Sequence, residues 1–508
     1  MARCTYDRES AFSQRMRTLV DEAHVTSCAT AVARVGAEVD AIARDLWEHP
    51  ELSGQEHHAA DALCASLSSH GFAVRRPAVP ELPTSFMASY RTGDGTSGKR
   101  CAGGEGDKDY FSHGDEAPDD TSQPLPVIGI LAEYDALPGL SQAAQPVRQP
   151  LVSDGPGHGC GHCLLAAGSV GAALAAAALL DEAGVPAEIR LYGCPAEETL
   201  VGKVIMANAG VFDALDLCFS WHPMGFTGVS EHVYAALVST TFEFEGVAGH
   251  AAVSPAQARS ATDACELMAV GANYLREHVP PGVMLSYANN AGELVPNVIS
   301  DHAEAWYFVR AADLAEARLT ADRVSDVARG AALMTGTQVR EHPVTACQST
   351  LMVSSLNTLL GACLDAHPAP EATVDERAFA ESIRATLGDD PTASDREHWA
   401  VAESAGTLLA DDPVILSRTP VSVMGASDYS DVSRRVPTAQ VWIAAAPFGT
   451  PAHSWQNVAC AGSSLGTRAA RRAAAVIASA LCTCACNPEA ISLVSEEFAS
   501  LVFVEGKE

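Results

Sequence analysis

Apolar residues recur with helical spacing in two segments near the start of the chain. Residues 31–52 and 57–70 carry apolar side chains three and four positions apart, which predicts two amphipathic helices. Residues 127–131 are a short apolar run that predicts a buried strand. Helical and strand patterns then alternate as far as Trp221. This alternation is typical of the α/β class, with a mostly parallel sheet and helices on both faces.

The pattern changes near Ala236, where apolar and polar residues begin to alternate one by one. Such alternation predicts a strand with one face in water. A helix, two strands, a second helix and a last strand are predicted over residues 265–279, 282–290, 299–310, 313–334 and 338–342. The order βαββαβ predicts a ferredoxin-like α+β domain. Its one-sided sheet and exposed strand edge suit a dimerisation or lid domain.

These patterns divide the chain into two predicted domains, as the length of 508 residues also favours. Residues 236–345 form the inserted domain, and residues 1–235 and 346–508 together form the catalytic domain. Residues 92–123 are rich in Gly, Asp, Ser and Lys and contain scarcely any aliphatic side chain. Such a segment cannot bury enough apolar surface to order itself, so we expect a surface insertion without a catalytic role.

The composition disfavours several kinds of partner. The 63 acidic residues outnumber the 32 basic ones, which gives a formal net charge of -31. Phosphates need a basic surface, so no nucleic-acid partner is expected, and an acidic membrane surface is disfavoured for the same reason. The longest apolar run, residues 164–180, falls short of the roughly 20 residues that span a bilayer. It predicts a buried helix and no membrane span.

The amino terminus and the cysteines bear on the location of the protein. Residues 1–9 contain no apolar core of the kind that a secretory signal needs. The 15 cysteines are an odd number and lie scattered through apolar stretches. Reduced thiols are expected in such a chain, which predicts a cytoplasmic protein.

Side chains with the chemistry of metal ligands stand in four short segments of the chain. They are Cys160, His162, Glu197, Glu198, His222 and His453. Zinc and similar divalent ions accept thiolate, imidazole and carboxylate ligands together, and a catalytic site keeps one position open for water. The segments therefore predict a two-metal hydrolytic site that works through a metal-bound water.

The spacing of these side chains suggests separate roles for them. Cys160 and His162 are two residues apart, so in an extended segment their side chains leave the same face, and Gly161 leaves room between them. Glu197 and Glu198 are adjacent and must diverge. One of the two can therefore ligate a metal while the other takes a proton from the metal-bound water.

Each segment alone also has a simpler interpretation. A histidine beside a proline could be a packed loop residue, an acidic pair could be solvated surface, and Cys160 could be an ordinary buried thiol. Context favours the site, because residues 188–194 predict a strand that ends before Glu197 and residues 215–220 predict one that ends before His222. Sites in open α/β sheets lie at the carboxyl ends of the strands.

Several stretches resemble the di-metal amidohydrolases, a family that includes aminoacylases, carboxypeptidase G and the auxin-conjugate hydrolases. The clearest are residues 132–142, 157–162, 192–195 and 449–456, and the resemblance extends from Ile42 to Ala475. It implies a metal-dependent enzyme that hydrolyses an amide bond of a small-molecule substrate.

The resemblance also implies roles for individual residues. The ligands of two divalent ions, Mn or Zn, would be Cys160, His162, Glu198, His222 and His453. Glu197 would be the general base, and Asp135 would orient a ligand. Cys163 stands where similar members usually carry Asn. It could compete for the metal, become oxidised, or be an innocuous buried thiol.

Three residues of the inserted domain complete the implied site. His250 would reach the active site of a partner subunit and polarise the scissile carbonyl. Asn297 and Arg310 would lie near the substrate. Arg310 shares a strand face with Trp306 and Phe308 and is a candidate cation for an anionic substrate, although an arginine in a structural ion pair is an equal alternative.

The resemblance points to p-aminobenzoyl-glutamate, cleaved to p-aminobenzoate and glutamate, as the substrate. The alternatives are a dipeptidase or an N-acyl-amino-acid hydrolase, possibly for cationic dipeptides, which the negative field would attract. A further alternative is a non-catalytic metal-binding subunit. We expect a homodimer, or a heteromer with a paralogous subunit, formed through residues 236–345.

Overall fold

The computed structural model describes residues 11–93, 125–290, 295–393, 407–413 and 425–505. The predicted insertion at 92–123 lies outside these residues except for Thr92 and Gly93. The helices described are α1 (Ala11–Thr18), α2 (Glu22–Glu48), α3 (His57–Ser69), α4 (His162–Ala183), α5 (Gly202–Asn208), α6 (Ala261–Leu275), α7 (Leu314–Thr335), α8 (Ser354–Ala366), α9 (Val374–Arg384), α10 (Tyr429–Ser433), α11 (Trp455–Ala461), α12 (Ser464–Cys486) and α13 (Pro488–Glu505).

The strands lie between these helices along the chain. They are β1 (Ala73–Arg75), β2 (Phe86–Arg91), β3 (Val127–Glu133), β4 (Glu188–Cys194), β5 (Leu217–Met224), β6 (Phe226–Val229), β7 (Ala236–Glu245), β8 (Gly249–His250), β9 (Met284–Asn290), β10 (Val298–Ile299), β11 (His302–Ala311), β12 (Gln338–Cys347), β13 (Ala410–Pro413) and β14 (Thr438–Ala444).

The chain divides into two compact units. The first comprises Met1–His232, Leu351–Thr419 and Val432–Glu508, and the second comprises Val233–Thr350 and Pro420–Asp431. The second unit thus takes in the described residues 425–431, which the sequence-based division assigns to the segment 346–508.

An eight-stranded sheet forms the centre of the first unit, in the order β1-β2-β4-β3-β5-β14-β6-β13. The four middle strands, β4, β3, β5 and β14, run parallel to one another. The flanking pairs β1/β2, β2/β4 and β14/β6 are antiparallel. All residues of β14 are buried, as expected for a strand covered on both faces.

Three long helices, α2, α4 and α12, pack against one another in the core of this unit. Glycines of α4 allow its neighbours to come close. A Cβ on Gly171 would lie 2.6 Å from Cγ2 of Val39 in α2, and one on Gly168 would lie 2.8 Å from Nε1 of Trp221 in β5. α4 and α12 are long and apolar enough to cross a membrane, but 89% of the apolar window of each is buried inside the protein. Their apolar surface therefore serves packing, as predicted for residues 164–180.

The second unit contains a four-stranded antiparallel sheet in the order β12-β7-β11-β9. With α6 after β7 and α7 after β11, the chain order is βαββαβ, and this strand order is that of a ferredoxin-like fold. Phe242, Phe244, Tyr307 and Val309 face the two helices and form a separate core. The predicted fold class, a mostly parallel sheet with helices around it and a smaller α+β unit, is confirmed.

Candidate metal centre

The four middle strands of the large sheet bring chemically active side chains to their carboxyl ends. Glu133 is the last residue of β3, and Glu197 and Glu198 follow the end of β4. His222 lies near the end of β5, and the loop after β14 leads to His453. Parallel strands place these ends at one edge of the sheet, where ligand sites of open α/β sheets lie.

The expected end of the fifth strand was wrong. β5 continues to Met224, and His222 lies inside it, opposite Trp442 of β14. Pairing with β14 extends the strand past Ser220, because each residue from Cys218 to Met224 has a partner there. The imidazole of His222 is thus fixed by a strand and not by a loop.

The expected extended conformation of Cys160 and His162 was also wrong. Gly161 has a left-handed backbone with φ +80°, and His162 is the first residue of α4. A Cβ on residue 161 would lie 2.7 Å from Cγ of Pro223, so glycine is required both by conformation and by space. The turn, and not a shared strand face, brings Cys160 and His162 together.

Two groups of possible ligands share Cys160. Sulfur and nitrogen donors of Cys160, His162 and His222 lie within 4.8 Å of one another, as do the donors of Cys160, Glu198 and His453. Sγ of Cys160 is 3.3 Å from Nε2 of His222, and Nε2 of His453 is 3.5 Å from Oε2 of Glu198. The five residues expected as ligands are thus gathered in one place, with the thiol between two neighbouring donor sets.

A third group was missed by sequence reasoning. Glu133, His162 and Glu197 also have donors within 4.8 Å of one another. Oε2 of Glu133 lies 3.3 Å from Nε2 of His162, and Oε1 of Glu133 is 2.8 Å from Nζ of Lys203. The Lys203 side chain is fully buried. The position of Glu133 at a strand end was a usable signal, whereas nothing distinguishes Lys203 in the sequence from a surface lysine.

Asp135 holds the first of the expected ligands in place. Its Oδ1 lies 2.9 Å from Nδ1 of His162, which directs the other ring nitrogen toward the donor cluster. Its Oδ2 accepts hydrogen bonds from the hydroxyl of Ser53 at 2.8 Å and from the backbone N–H of Glu198 at 2.9 Å. One carboxylate therefore positions two of the expected ligands.

The loop that carries the two glutamates contains a strained residue. Ala196 has φ 58°, a left-handed conformation that costs free energy outside glycine. The buried carboxylate of Glu56 accepts a hydrogen bond from the N–H of Ala196 at 2.9 Å and further bonds from Gly54 and Thr84. Sequence reasoning did not identify Glu56, which fixes the loop ahead of Glu197.

His453 is also held in a left-handed conformation, with φ 54°. Its N–H donates to the carbonyl oxygen of Gly159 at 3.1 Å, and the side-chain amide of Asn457 donates to the same oxygen at 2.6 Å. Both bonds tie the late loop to the residue before Cys160. The two ends of the first unit thus meet at this pair of expected ligands.

Burial sets the direction of the pKa shifts at four groups of the cluster, whereas at His162 the neighbouring Cys160 and Asp135 outweigh burial and raise the pKa. Burial raises the pKa of Glu197 to about 8, with a further contribution from the charge of Glu133, and it raises the pKa of Glu198 to about 7. Burial lowers the pKa of His222 to about 4 and also lowers that of His453. These two imidazoles are therefore neutral near pH 7, as metal ligands must be.

The donor set fits divalent metal ions. Nε2 of His162 and Oε1 of Glu198 are buried and make no hydrogen bond within the described residues, a costly state that a cation would relieve. Thiolate, imidazole and carboxylate donors together suit a borderline-soft ion such as zinc. Cys163 is fully buried in the apolar core, and burial raises its pKa to about 12, which favours an inert thiol.

The remaining predicted residues lie in the second unit. β8 pairs with β10, so His250 lies opposite Val298 and next to Asn297, whose carbonyl oxygen accepts a hydrogen bond from Ala251. Arg310 lies on the helix-free face of the sheet, with its guanidinium 5.1 Å from the ring centre of Phe308. Within the residues that the structure describes, Arg310 forms no ion pair and its Nε makes no hydrogen bond.

Comparisons with known proteins agree with the resemblance. The model of peptidase family M20/M25/M40 matches residues 129–480. The chain is 36% identical over 433 residues to one of the subunits of the p-aminobenzoyl-glutamate hydrolase of Escherichia coli K12, and the match covers 82% of both proteins. It is 29% identical to the Xaa-Arg dipeptidase of Mus musculus over 61% of this chain and 62% of that protein.

Solved structures agree in fold. A crystal structure described as an aminohydrolase from methicillin-resistant Staphylococcus aureus superposes with a TM-score of 0.54 at 16% sequence identity, covering 90% of this chain and 98% of that one. At this level of identity, the likeness concerns the fold alone.

Binding of divalent ions to the metal-free protein is expected to release more protons below pH 7 than above pH 8. Below their pKa values of about 8 and about 7, Glu197 and Glu198 retain protons. Glu198 must be ionised to ligate a metal, and the charge of the bound ions lowers the pKa of the nearby Glu197, so both protons leave on binding. Titration calorimetry in buffers of different ionisation enthalpy measures the release. Glu197→Gln, which keeps the proposed ligands, should weaken the pH dependence, and equal proton release below pH 7 and above pH 8 would contradict the assignment.

Removal of the Lys203 ammonium should destabilise the first unit. Lys203→Met leaves the buried carboxylate of Glu133 without its cation, which costs about 3–5 kcal/mol. Urea unfolding followed by circular dichroism measures the loss. The double variant Glu133→Gln/Lys203→Met should recover part of it, because no unpaired charge remains.

An exposed ion pair of the same unit provides the control for Lys203. Arg17 lies 3.3 Å from Asp365, and both side chains are largely in water. Arg17→Met should change the free energy of unfolding by less than about 1 kcal/mol. If Lys203→Met lowers the free energy of unfolding by no more than this, the buried pair stabilises the unit no more than an exposed pair does.

Proposed function

This chain belongs to peptidase family M20/M25/M40, and we propose that it hydrolyses p-aminobenzoyl-glutamate to p-aminobenzoate and glutamate. Hydrolysis of amide bonds with the help of divalent metal ions is the activity of the family. The observation that carries the proposal for this chain is the pair of donor sets that share Cys160, with Glu197 beside them.

We assign the ligands from these sets. His162 and His222 would hold one ion and Glu198 and His453 the other, with Cys160 shared between the two. We expect Mn or Zn, because both accept the imidazole and carboxylate donors present, and the thiol favours zinc. When bound, the ions supply Lewis acidity that lowers the pKa of a water molecule and polarises the substrate carbonyl.

Glu197 is proposed as the general base. It is next to an expected ligand in the sequence, and its carboxylate lies 3.9 Å from Nε2 of His162, further than a hydrogen bond. Burial raises its pKa, which makes its carboxylate a stronger proton acceptor than an exposed one. Glu197 would take a proton from the attacking water and pass it to the nitrogen of the leaving amine.

Residues of the second unit are proposed to act on the substrate. His250, as the resemblance implies, would donate a hydrogen bond to the developing oxyanion in the active site of a partner subunit. Asn297 is its neighbour through the β8/β10 pairing. Arg310 would bind a carboxylate of the substrate, since no acidic side chain of the described residues occupies its guanidinium.

The proposed substrate follows from the relative that matches over 433 residues. That Escherichia coli protein is named for p-aminobenzoyl-glutamate, and this chain covers 82% of it. A second candidate is a dipeptide with a basic residue, which the net charge of -31 would attract. A relative named as an Xaa-Arg dipeptidase supports this alternative.

We further propose an assembly of subunits in the cytoplasm. Two relatives are named as different subunits of one p-aminobenzoyl-glutamate hydrolase, which favours a heteromer, with a homodimer through residues 236–345 as the alternative. A non-catalytic partner role is less well supported, because Glu197 is not needed for metal binding alone. A ligand thiol such as Cys160 must stay reduced, which suits the cytoplasm.

Replacement of Glu197 tests the mechanism. Glu197→Gln should retain the metal content of the wild-type protein and lose about 10²–10⁴-fold in turnover, because the ligands survive and the proton acceptor does not. Metal analysis and amide hydrolysis are measured on the same preparation. Glu198→Gln is the matched control and should lose metal as well. Wild-type turnover in Glu197→Gln would overturn the role. If the wild-type chain alone cleaves no amide yet activates a paralogous partner, the non-catalytic role holds.

Salt and Arg310 together distinguish the two substrates. Added salt screens the acidic field, so it should raise kcat/KM for p-aminobenzoyl-glutamate and lower it for a basic dipeptide such as Ala-Arg. Arg310→Gln should raise KM for the anionic substrate by about 10-fold or more, the value of a charged hydrogen bond. Arg340→Gln, on the second-unit strand β12 and paired with Glu245, is the control and should leave KM unchanged. Faster turnover of the dipeptide would favour the second candidate.

A further inference from the structure

A second cluster of metal-ligand side chains lies away from the strand ends, where α2 ends and α3 begins. Donor atoms of Asp45, His49 and His58 lie within 4.8 Å of one another. Nε2 of His58 is 2.9 Å from Oδ2 of Asp45. Nδ1 of His49 is 3.2 Å from Oδ1 of the same carboxylate and 2.9 Å from the backbone carbonyl oxygen of Asp45. The two imidazole rings are 4.5 Å apart between centroids. Both histidines thus converge on a single carboxylate.

The backbone around the cluster is well fixed. His49 directly follows the last residue of α2, four positions after Asp45, and its N–H donates to the carbonyl oxygen of Asp45. The carboxylate of Glu51 accepts hydrogen bonds from the N–H groups of His58 and Ala59, each at 3.0 Å. Glu51 therefore fixes the backbone at the start of α3 next to the segment that follows α2.

The donor chemistry selects the class of ion. Two imidazole nitrogens and one carboxylate suit zinc, nickel, cobalt or copper, whereas calcium and magnesium take oxygen donors. Ligand atoms at about 2.0–2.2 Å from a tetrahedral zinc lie about 3.3 Å from each other. The separations of 2.9 Å and 3.2 Å within the cluster are close to this value. All three side chains are between 39% and 55% exposed, so water can complete the coordination shell.

We propose that Asp45, His49 and His58 form an accessory binding site for a divalent transition-metal ion such as Zn²⁺. The site is distinct from the ions of the candidate metal centre, because it shares no residue with Cys160, His162 or the other expected ligands. It bridges two helices whose ends are already joined, so a bound ion stabilises the folded chain.

A short path links this site to the candidate metal centre. Glu51 and Ser53 follow His49 in the chain, and the carbonyl oxygen of Glu51 accepts a hydrogen bond from Ala136 at 2.8 Å. The hydroxyl of Ser53 donates to Asp135, which positions His162. An ion that clamps the end of α2 therefore also restrains the segment that supports Asp135.

Another histidine on the same two helices provides a matched control. His70 at the end of α3 pairs with Glu38 of α2, with Nε2 2.8 Å from Oε2. The exposure of this pair, 40% and 32%, is similar to that of the cluster. It offers a single imidazole, however, and belongs to no group of three donors within the part of the chain that the structure describes. The cluster and the His70–Glu38 pair therefore both contain a histidine–carboxylate contact. Only the cluster has a second imidazole.

Zinc binding to the full-length, metal-loaded protein tests the proposal. Equilibrium dialysis against Zn²⁺ followed by metal analysis should give one more ion per chain in the wild type and in His70→Gln than in His49→Gln/His58→Gln. Asp45→Asn should also lose this ion. Zn²⁺ should raise the Tm of the wild type and of His70→Gln above that of the double variant, because a ligand that binds only the folded chain stabilises it.

Equal zinc content in the wild type and in the double variant would overturn the site. A loss of zinc in His70→Gln equal to that in the double variant would overturn it as well. Glutamine can still form hydrogen bonds with Asp45, so folding of the double variant is expected and is verified by circular dichroism. If the double variant does not fold, His58→Gln alone decides, since His58 lies in α3 and forms no part of the α2 turn.

Discussion

The burial of several carboxyl groups around His162 is the constraint on which the candidate metal centre depends. These groups are Glu56, Glu133, Asp135, Glu197 and Glu198. A buried carboxylate needs hydrogen bonds or a cation, and each member of the group meets the need differently. Glu56 and Asp135 accept hydrogen bonds from backbone and side-chain donors, and Glu133 has Lys203. Burial raises the pKa values of Glu197 and Glu198 to about 8 and about 7, and it also raises that of Glu56. Glu197 and Glu198 lie in the donor cluster, so divalent ions would offset their charge when they ionise, as well as supply the chemistry.

Two loops of the site have strained backbone conformations. Ala196 and His453 adopt left-handed conformations that cost free energy, and each is held by a hydrogen bond to a fixed group, the carboxylate of Glu56 or the carbonyl oxygen of Gly159. These two bonds hold the loops that carry Glu197 and His453 at the donor cluster.

Much of the fold could be predicted from the sequence, because periodicity reports directly which faces are buried. The alternation in β7, the helical spacing of α6 and the βαββαβ order all appear in the structure. The residues proposed as ligands could also be chosen from the sequence, since their motifs are local. Three features were not predictable. Lys203 has no local pattern that marks it as buried, the turn at Gly161 depends on Pro223 far along the chain, and β5 extends through His222 only because β14 pairs with it. Each depends on a tertiary contact that periodicity does not report.

The chain and the proposed substrate are both negatively charged and repel each other at long range. The structure suggests how the substrate could nevertheless bind. A net charge of -31 lowers the local concentration of an anion at long range, but screening limits this effect to about 10 Å at moderate salt. A guanidinium acts at shorter range. Arg310 is partly buried against Phe308, and burial lowers its pKa, yet an arginine stays charged in this setting. A half-desolvated cation that has no acidic partner among the described residues gains more from a carboxylate than an arginine in water does, because the local dielectric is lower. Selectivity for an acidic substrate can therefore rest on one residue within a strongly acidic protein, whereas a basic substrate would gain from the field and find no use for Arg310.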